Sequence, residues 1–290
     1  MIHSELKYIE ELNAFGVSEE QLKVWEKQQE TPLLSLSRKD YIGLGCRVPA
    51  SDSPFVALLM QKGEYGYTVP KNYVLALART EVNLCFLTYE HCMVQMQDCY
   101  ALVLPCGDFD LPERYYVDGN ADSPEFSSAT AKAYIDCIRF ALKKEIPILA
   151  IDKGAQMVAG EMGVKIHRDT SHLRDHIIHN SSRQKAHRVH IDLRSPLYRL
   201  LKYHRCITTN SRHDTVLHPN FSQSYLAFYA SSLDGVPEAW GCYSKHILCV
   251  QWHPEDMAAT EPNGLMQKLF DWVADKAWDL YDEQHFEFGW

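Results

Sequence analysis

Three short segments combine reactive side chains with the turns that would expose them. In Leu104-Pro105-Cys106-Gly107-Asp108 an apolar run breaks at a thiol into a glycine turn. In Ile148-Leu149-Ala150-Ile151-Asp152-Lys153-Gly154-Ala155-Gln156-Met157 an apolar run meets one polar residue, then x-Gly, then a helical stretch. That order is the geometry of a nucleophile elbow: a sharp turn lifts one side chain to an apex, and the following helix aims its first amides at the same point. In Val250-Gln251-Trp252-His253-Pro254-Glu255 an apolar run ends in His-Pro-Glu, and a carboxylate two residues from an imidazole can fix its tautomer for general-base work. Asp152, His253 and Glu255 are therefore the candidate catalytic residues. The same groups with His213 would also suit a first-row divalent ion, but fourteen histidines make chance proximity common. His172 and His176, spaced i, i+4, read more simply as polar loop residues beside His167 and His179.

The elements that must position these groups are short. Apolar runs at 41–46, 84–88, 101–105, 148–151 and 247–251 are too brief for helices and read as strands. Helical periodicity at 72–78 and 129–144 separates them, which implies parallel pairing in an α/β layered domain. Ligands of such sheets bind beyond the carboxyl ends of the strands, where all three reactive segments fall. Runs at 189–193, 206–209, 225–229 and 239–242 read as further strands of the same sheet, and 167–185 as a solvated excursion. Leu6, Ile9 and Leu12 at helical spacing, then Ser18 with Gln21 as a capping box for 19–29, predict two N-terminal helices. The expected organisation is a helical extension over 1–36 and one main domain over 37–290. A covering helix is expected over 265–278, with an acidic, aromatic tail at 282–290. Arg47, after the first run, is either a substrate carboxylate partner or an ordinary surface residue.

Composition bounds the partners. Hydrophobic residues are 46% of 290 and charged residues 23%, the balance of a chain with a sizeable core. A net charge of −9 offers no footprint for phosphate backbones, so nucleic acid is not expected. Nine cysteines in no CxxC or zinc-finger spacing read as free thiols in a reducing compartment. No window approaches the roughly 20 apolar residues of a membrane span, and no basic-then-apolar leader is visible. A cytoplasmic protein without membrane contact is the expectation.

Six ordered motifs carry a family resemblance. Leu104 to Tyr116 resembles an oxyanion loop, and 148–169 an elbow and its helix. Ala186-His187-Arg188-Val189 resembles a His-x-Val segment and Asn210-Ser211-Arg212-His213 an Asn-Ser-x-His turn. Asp234-Gly235 with Glu238-Ala239 resembles the hairpin before the last strand, and 250–255 matches Val-Gln-Trp-His-Pro-Glu in full. Over about 38–275 the chain resembles the class I glutamine amidotransferase-like proteins, closest to gamma-glutamyl hydrolases and gamma-glutamyl-GABA hydrolases. The resemblance implies a flavodoxin-like α/β fold with a mainly parallel sheet, no cofactor, and hydrolysis of gamma-glutamyl or amide C–N bonds. It also implies substrate-binding roles for Cys106, Gly107, Lys153, Gln156 and His213.

The chain departs from the family pattern where the chemistry is most demanding. The family's elbow residue is a cysteine, whose thiolate attacks the carbonyl while His and Glu handle the proton; here it is Asp152. Attack by a carboxylate would give a mixed anhydride, and an anion there competes for the oxyanion donors. Cys106 stands where the loop usually has Gly, Lys153 where Arg is frequent, and Asp214-Thr215 replace a polar pair after His213. The leading expectation is an inactive or repurposed hydrolase that binds a small amine or amide ligand, or a protein partner. The alternative is an active hydrolase using Asp152 or Cys106 with His253 and Glu255, and the third a metal site in the same pocket. The simplest reading of Cys106 itself is a small filler at a strand end.

Overall fold

The computed structural model describes residues 2–120, 123–168, 187–211, 213, 215–218 and 224–286. Numbered along the chain, the central sheet contains β1 (Ile2–Glu5), β2 (Pro32–Ser35), β3 (Phe55–Leu59), β4 (Asn83–Leu87), β5 (Cys99–Leu104), β6 (Ile148–Ile151), β7 (His187–Ile191), β8 (Cys206–Thr209), β9 (Ala227–Ser232), β10 (Pro237–Cys242) and β11 (Ile247–Val250). Their spatial order is β1-β2-β4-β3-β5-β6-β11-β10-β9-β7-β8.

The strands that read as continuous apolar runs form the middle. β4, β3, β5, β6 and β11 are mutually parallel, and such strands must be covered on both faces. Alternation sorts their side chains: Val56 and Leu58 join one core cluster, while Ala57 and Leu59 join the other. The first cluster includes Val74 and Leu77 of helix α2 (Lys71–Ala78) and Phe270 and Val273 of helix α5 (Gln267–Phe286). The second includes Tyr134 and Ile138 of helix α3 (Ala129–Lys144) and Met157 of helix α4 (Lys153–Glu161). From β11 onward the sheet continues antiparallel through β10, β9, β7 and β8. The architecture is therefore α/β with a mixed sheet whose centre is parallel.

Two expectations need correction. The N-terminal segment is not a helical extension. Lys7–Ile9 and Ala14–Ser18 are strands of a separate antiparallel sheet with Gln61–Gly63 and Gly66–Pro70, and β1 and β2 join the edge of the central sheet. Leu6, Ile9 and Leu12 fit a helical period, yet cross-strand pairing with sequence-distant partners overrides so short a signal. Only the second predicted helix forms, over Glu19–Gln28, with Ser18 Oγ accepting from Gln21 N. The run 41–46 is likewise no strand: Ser37 and Asp40 make a reciprocal capping box that starts the helix Arg38–Gly43.

The runs at 84–88, 101–105, 148–151 and 247–251 all fall on central strands, and Phe55–Leu59 adds one more between two of them. The covering helix at 265–278 extends to residue 286. His167 lies in a strand paired with Val216–Leu217, whereas His172, His176, His179, Ala186, Arg212, Asp214 and residues 287–290 lie outside the described residues. No helix among the described residues is long and apolar enough to cross a membrane.

Candidate functional site

Asp152 follows β6 directly and precedes α4, with φ +48° and ψ −110°. A non-glycine residue there is strained and persists only where its surroundings over-determine it. Two backbone bonds do so: Asp152 N donates to Val250 O at 2.8 Å, and Gln156 N donates to Asp152 O at 2.9 Å. Gly154 permits the tight turn, since a Cβ there would stand 2.5 Å from Leu104 O and 2.9 Å from Pro105 O. The start of α4 is thereby packed against the end of β5, which places the elbow beside Cys106.

Cys106 Sγ lies 2.8 Å from Asp152 Oδ2 and donates to it. Gln251 Nε2 donates to Oδ1 of the same carboxylate at 2.8 Å. His253 Nε2 is 3.8 Å from Asp152 Oδ2, and His253 Nδ1 is 2.9 Å from Glu255 Oε1. The imidazole is thus held by one carboxylate and faces another. The site is nearly closed, with Asp152 6% exposed, His253 1% and Glu255 2%.

Burial pushes the Cys106 thiol well above its ordinary range, and the charge and hydrogen bond of Asp152, then the charge of Glu255, push it further. The Lys153 backbone amide opposes them weakly. Sulfur in this setting is a protonated donor, not a thiolate. Its loop is fixed from three directions: Tyr73 OH accepts from Cys106 N at 3.1 Å, Tyr134 OH donates to Pro105 O at 2.8 Å, and Gln61 Nε2 donates to Cys106 O. Gly107, next in line, accommodates the Phe109 ring, which a Cβ would meet at 2.7 Å.

The predicted residues separate into two groups. Asp152, Cys106, His253 and Glu255 converge on one point. Gly107 and Lys153 flank it, and Gln156 is buried one turn into α4, its Oε1 without a hydrogen-bond partner among the described residues. His213 does not face Asp152. Its Nε2 is 3.3 Å from Glu238 Oε1, as is His187 Nε2. Asn210, which accepts from His253 N at 3.2 Å through its backbone oxygen, links this cluster to the first. Arg47 pairs with Glu81 just before β4 begins, at the opposite end of the sheet. Trp252 is buried in the core, with Nε1 3.2 Å from Met266 Sδ.

Several contacts that shape the site have no local signal in the sequence. Gln251 is visible there only as part of a motif, while Tyr73, Tyr134 and Gln61 arrive from α2, α3 and the separate sheet. A cavity of about 1070 Å³ lies elsewhere: His246 and Ile247 line it at the amino end of β11, with Tyr225, Phe228, Tyr243 and Trp272. Position decides against it as the reaction site, because the elbow and the His-Pro-Glu turn lie at the carboxyl ends.

The fold has counterparts among solved structures. The chain superimposes with a TM-score of 0.54 at 14% identity on a putative GMP synthase protein of Thermoplasma acidophilum, covering 80% of this chain and 98% of that one. It does so equally, at 0.54 and 14%, on the glutaminase domain of Trypanosoma brucei CTPS with bound acivicin, covering 77% and 94%. These similarities show a class I glutamine amidotransferase-like fold. In sequence it is 29% identical over 182 residues to a putative glutamine amidotransferase of Schizosaccharomyces pombe, 61% of this chain and 69% of that protein. It is also 29% identical over 164 residues to the putative glutamine amidotransferase-like protein YvdE of Lactococcus lactis, 55% and 67% respectively. The peptidase C26 model matches residues 61–255, a span holding the Cys106 loop, the elbow and the His-Pro-Glu turn, and the chain belongs to the peptidase C26 family.

Proposed function

We propose that this chain is a peptidase C26 protein whose elbow binds a small amine or amide ligand through Asp152 and performs no thiolate chemistry. The observation that carries the reading is the 2.8 Å contact from Cys106 Sγ to Asp152 Oδ2. A carboxylate occupies the apex where the family resemblance calls for cysteine, and the nearest thiol directs its proton at that carboxylate. Asp152 with His253 and Glu255 makes an acidic floor with a single imidazole, which favours a protonated amine over an anionic gamma-glutamyl group. Relatives described as glutamine amidotransferases support an amide or amine as the ligand class.

A second reading has its own support. His253 remains locked to Glu255 at 2.9 Å, the relay needed if Asp152 acts as a base toward water. One set of assays separates the two: release of glutamate from glutamine and from a gamma-glutamyl amine, with amine binding followed by calorimetry. Binding without turnover in the parent, binding lost in Asp152→Asn, and turnover gained in Asp152→Cys are the expected results. Parent turnover that survives Cys106→Ala and disappears in Asp152→Asn would replace ligand binding with the carboxylate mechanism. Parent turnover abolished by Cys106→Ala would overturn both.

A further inference from the structure

The cavity at the amino end of β11 arises from a mismatch of lengths. Its floor is the face of the antiparallel wing that carries Tyr229 and Leu248. Two helices meet that face: α5, with Trp272 and Lys276, and the short helix Pro196–Leu200, with Leu197 and Leu200. Five helical residues extend about 7.5 Å, whereas the six residues of β9 extend about 20 Å. Among the described residues part of the face is left uncovered, and the space above it is about 1070 Å³, the size of a small-molecule site.

The floor carries a buried donor. Tyr229 is 4% exposed, and its ring lies over Gly241, where a Cβ would stand 2.6 Å from Tyr229 Cε2. The tyrosine hydroxyl makes no hydrogen bond among the described residues. A buried tyrosine hydroxyl ordinarily finds a partner, and one left without it is costly. Burial, and after it the thiols of Cys242 and Cys249, push its pKa up to about 12, so at neutral pH the group is a protonated donor. An acceptor lying on the cavity floor would satisfy it.

The walls fix the sign of that acceptor. The chain as a whole carries a net charge of −9, yet Arg194, Arg199 and Lys276 line this cavity against the single carboxylate of Asp192. Arg194 neutralises that carboxylate, with Nε at 3.3 Å from Oδ1 and Nη2 at 3.2 Å from Oδ2. Lys276 pairs with Asp279 at 2.6 Å, an exposed contact that solvent screens. The Arg199 guanidinium has no ion pair among the described residues. His246 adds no charge at neutral pH, because burial and then Lys276 lower its pKa. Positive charge is therefore left over, and Tyr225, Tyr243 and Trp272 set aromatic faces beside it, which suit a flat, ring-containing partner.

We infer that this cavity is a binding site for an aromatic carboxylate, separate from the elbow. The carboxylate accepts from the Tyr229 hydroxyl within the field of Arg199 and Lys276, and the ring lies against the aromatic walls. Its charge preference is opposite to that of the elbow, whose floor is acidic, so the two sites select different molecules.

The test titrates the full chain by calorimetry with 2-naphthoate and with its uncharged counterpart 2-naphthamide. One saturable site for 2-naphthoate is expected, with the amide bound more weakly by about tenfold or more. Tyr229→Phe removes only the hydroxyl and should weaken 2-naphthoate by about tenfold or more. Arg199→Gln should weaken it by about two- to fivefold at low salt. Lys39→Gln, which removes an exposed cation on the helix Arg38–Gly43, should leave it unchanged. Neither Tyr229→Phe nor Arg199→Gln breaks a hydrogen bond within the described residues, and circular dichroism matching the parent checks that both fold. No saturable binding of 2-naphthoate, equal affinity for the amide, undiminished affinity in Tyr229→Phe, or the same loss in Lys39→Gln as in Arg199→Gln would each overturn the inference.

Discussion

The Cys106 thiol shows how one neighbour decides a side chain's chemistry. Burial and the Asp152 carboxylate both favour S–H, so its folded pKa lies above the ordinary thiol value. For a group raised in this way, the stabilising contribution is complete below the unfolded thiol pKa of about 8.5 and is lost as pH rises toward the folded value. Alkylation of Cys106 by iodoacetamide at pH 8, followed by mass spectrometry, should therefore be slower than in the unfolded chain. Asp152→Asn removes the charge and should speed it; an unchanged rate would show that burial alone protects the sulfur. Glycines test the same corner sterically. Gly154→Ala drives a Cβ into Leu104 O, and strain of this kind costs about 1–3 kcal/mol. Gly43→Ala, at the end of a short helix with nothing within 4 Å of its Cβ position, should be neutral or stabilising by up to about 1 kcal/mol. Urea denaturation of both variants checks the pair.

At the scale of elements, the two N-terminal strands of the central sheet matter more than their position at its edge suggests. Leu34 of β2 is fully buried, and Trp25 from helix α1 (Glu19–Gln28) packs in the same cluster. Leu34→Ala should cost about 2–5 kcal/mol, measured by chemical denaturation, whereas a loosely attached segment would lose almost nothing. The same region marks where local pattern runs out. Apolar runs at 84–88, 101–105, 148–151 and 247–251 are legible as buried strands because length and flanking Gly, Pro or Asp distinguish them. Residues 6–12 are not, because Tyr8 and Ile9 pair with Phe15 and Ala14 in a sheet completed by residues 61–70. The capping box at Ser37 and Asp40 is readable in the sequence, but the run of apolar residues after it masks the helix. At the site, contiguous motifs carry Asp152, His253 and Glu255, while Gln61, Tyr73 and Tyr134 reach the Cys106 loop from sequence positions 45, 33 and 29 residues away.

For the whole molecule, the two core clusters lie on opposite faces of one sheet and share its strands. Trp25 and Trp252 belong to one cluster and Trp240 to the other. Tryptophan emission therefore samples both faces, and far-ultraviolet circular dichroism samples the sheet between them. The two probes should give coincident urea transitions, as a cooperative unit requires; separated midpoints would mean that one face melts alone. The large cavity at the amino end of β11 and the elbow at the carboxyl end are divided by the length of the sheet. Occupancy of one consequently does not obstruct the other.

The elbow's own hydrogen bonds bear on how fast anything can bind there. Both Asp152 oxygens already accept, from Cys106 and Gln251. An incoming ligand finds the apex carboxylate engaged and must wait for this internal network to open. Its apparent affinity is reduced by the fraction of time the network is closed. Observed association rates should accordingly level off at high ligand concentration, with a plateau equal to the opening rate, and Cys106→Ala should raise that plateau by removing one of the bonds that keep the site shut.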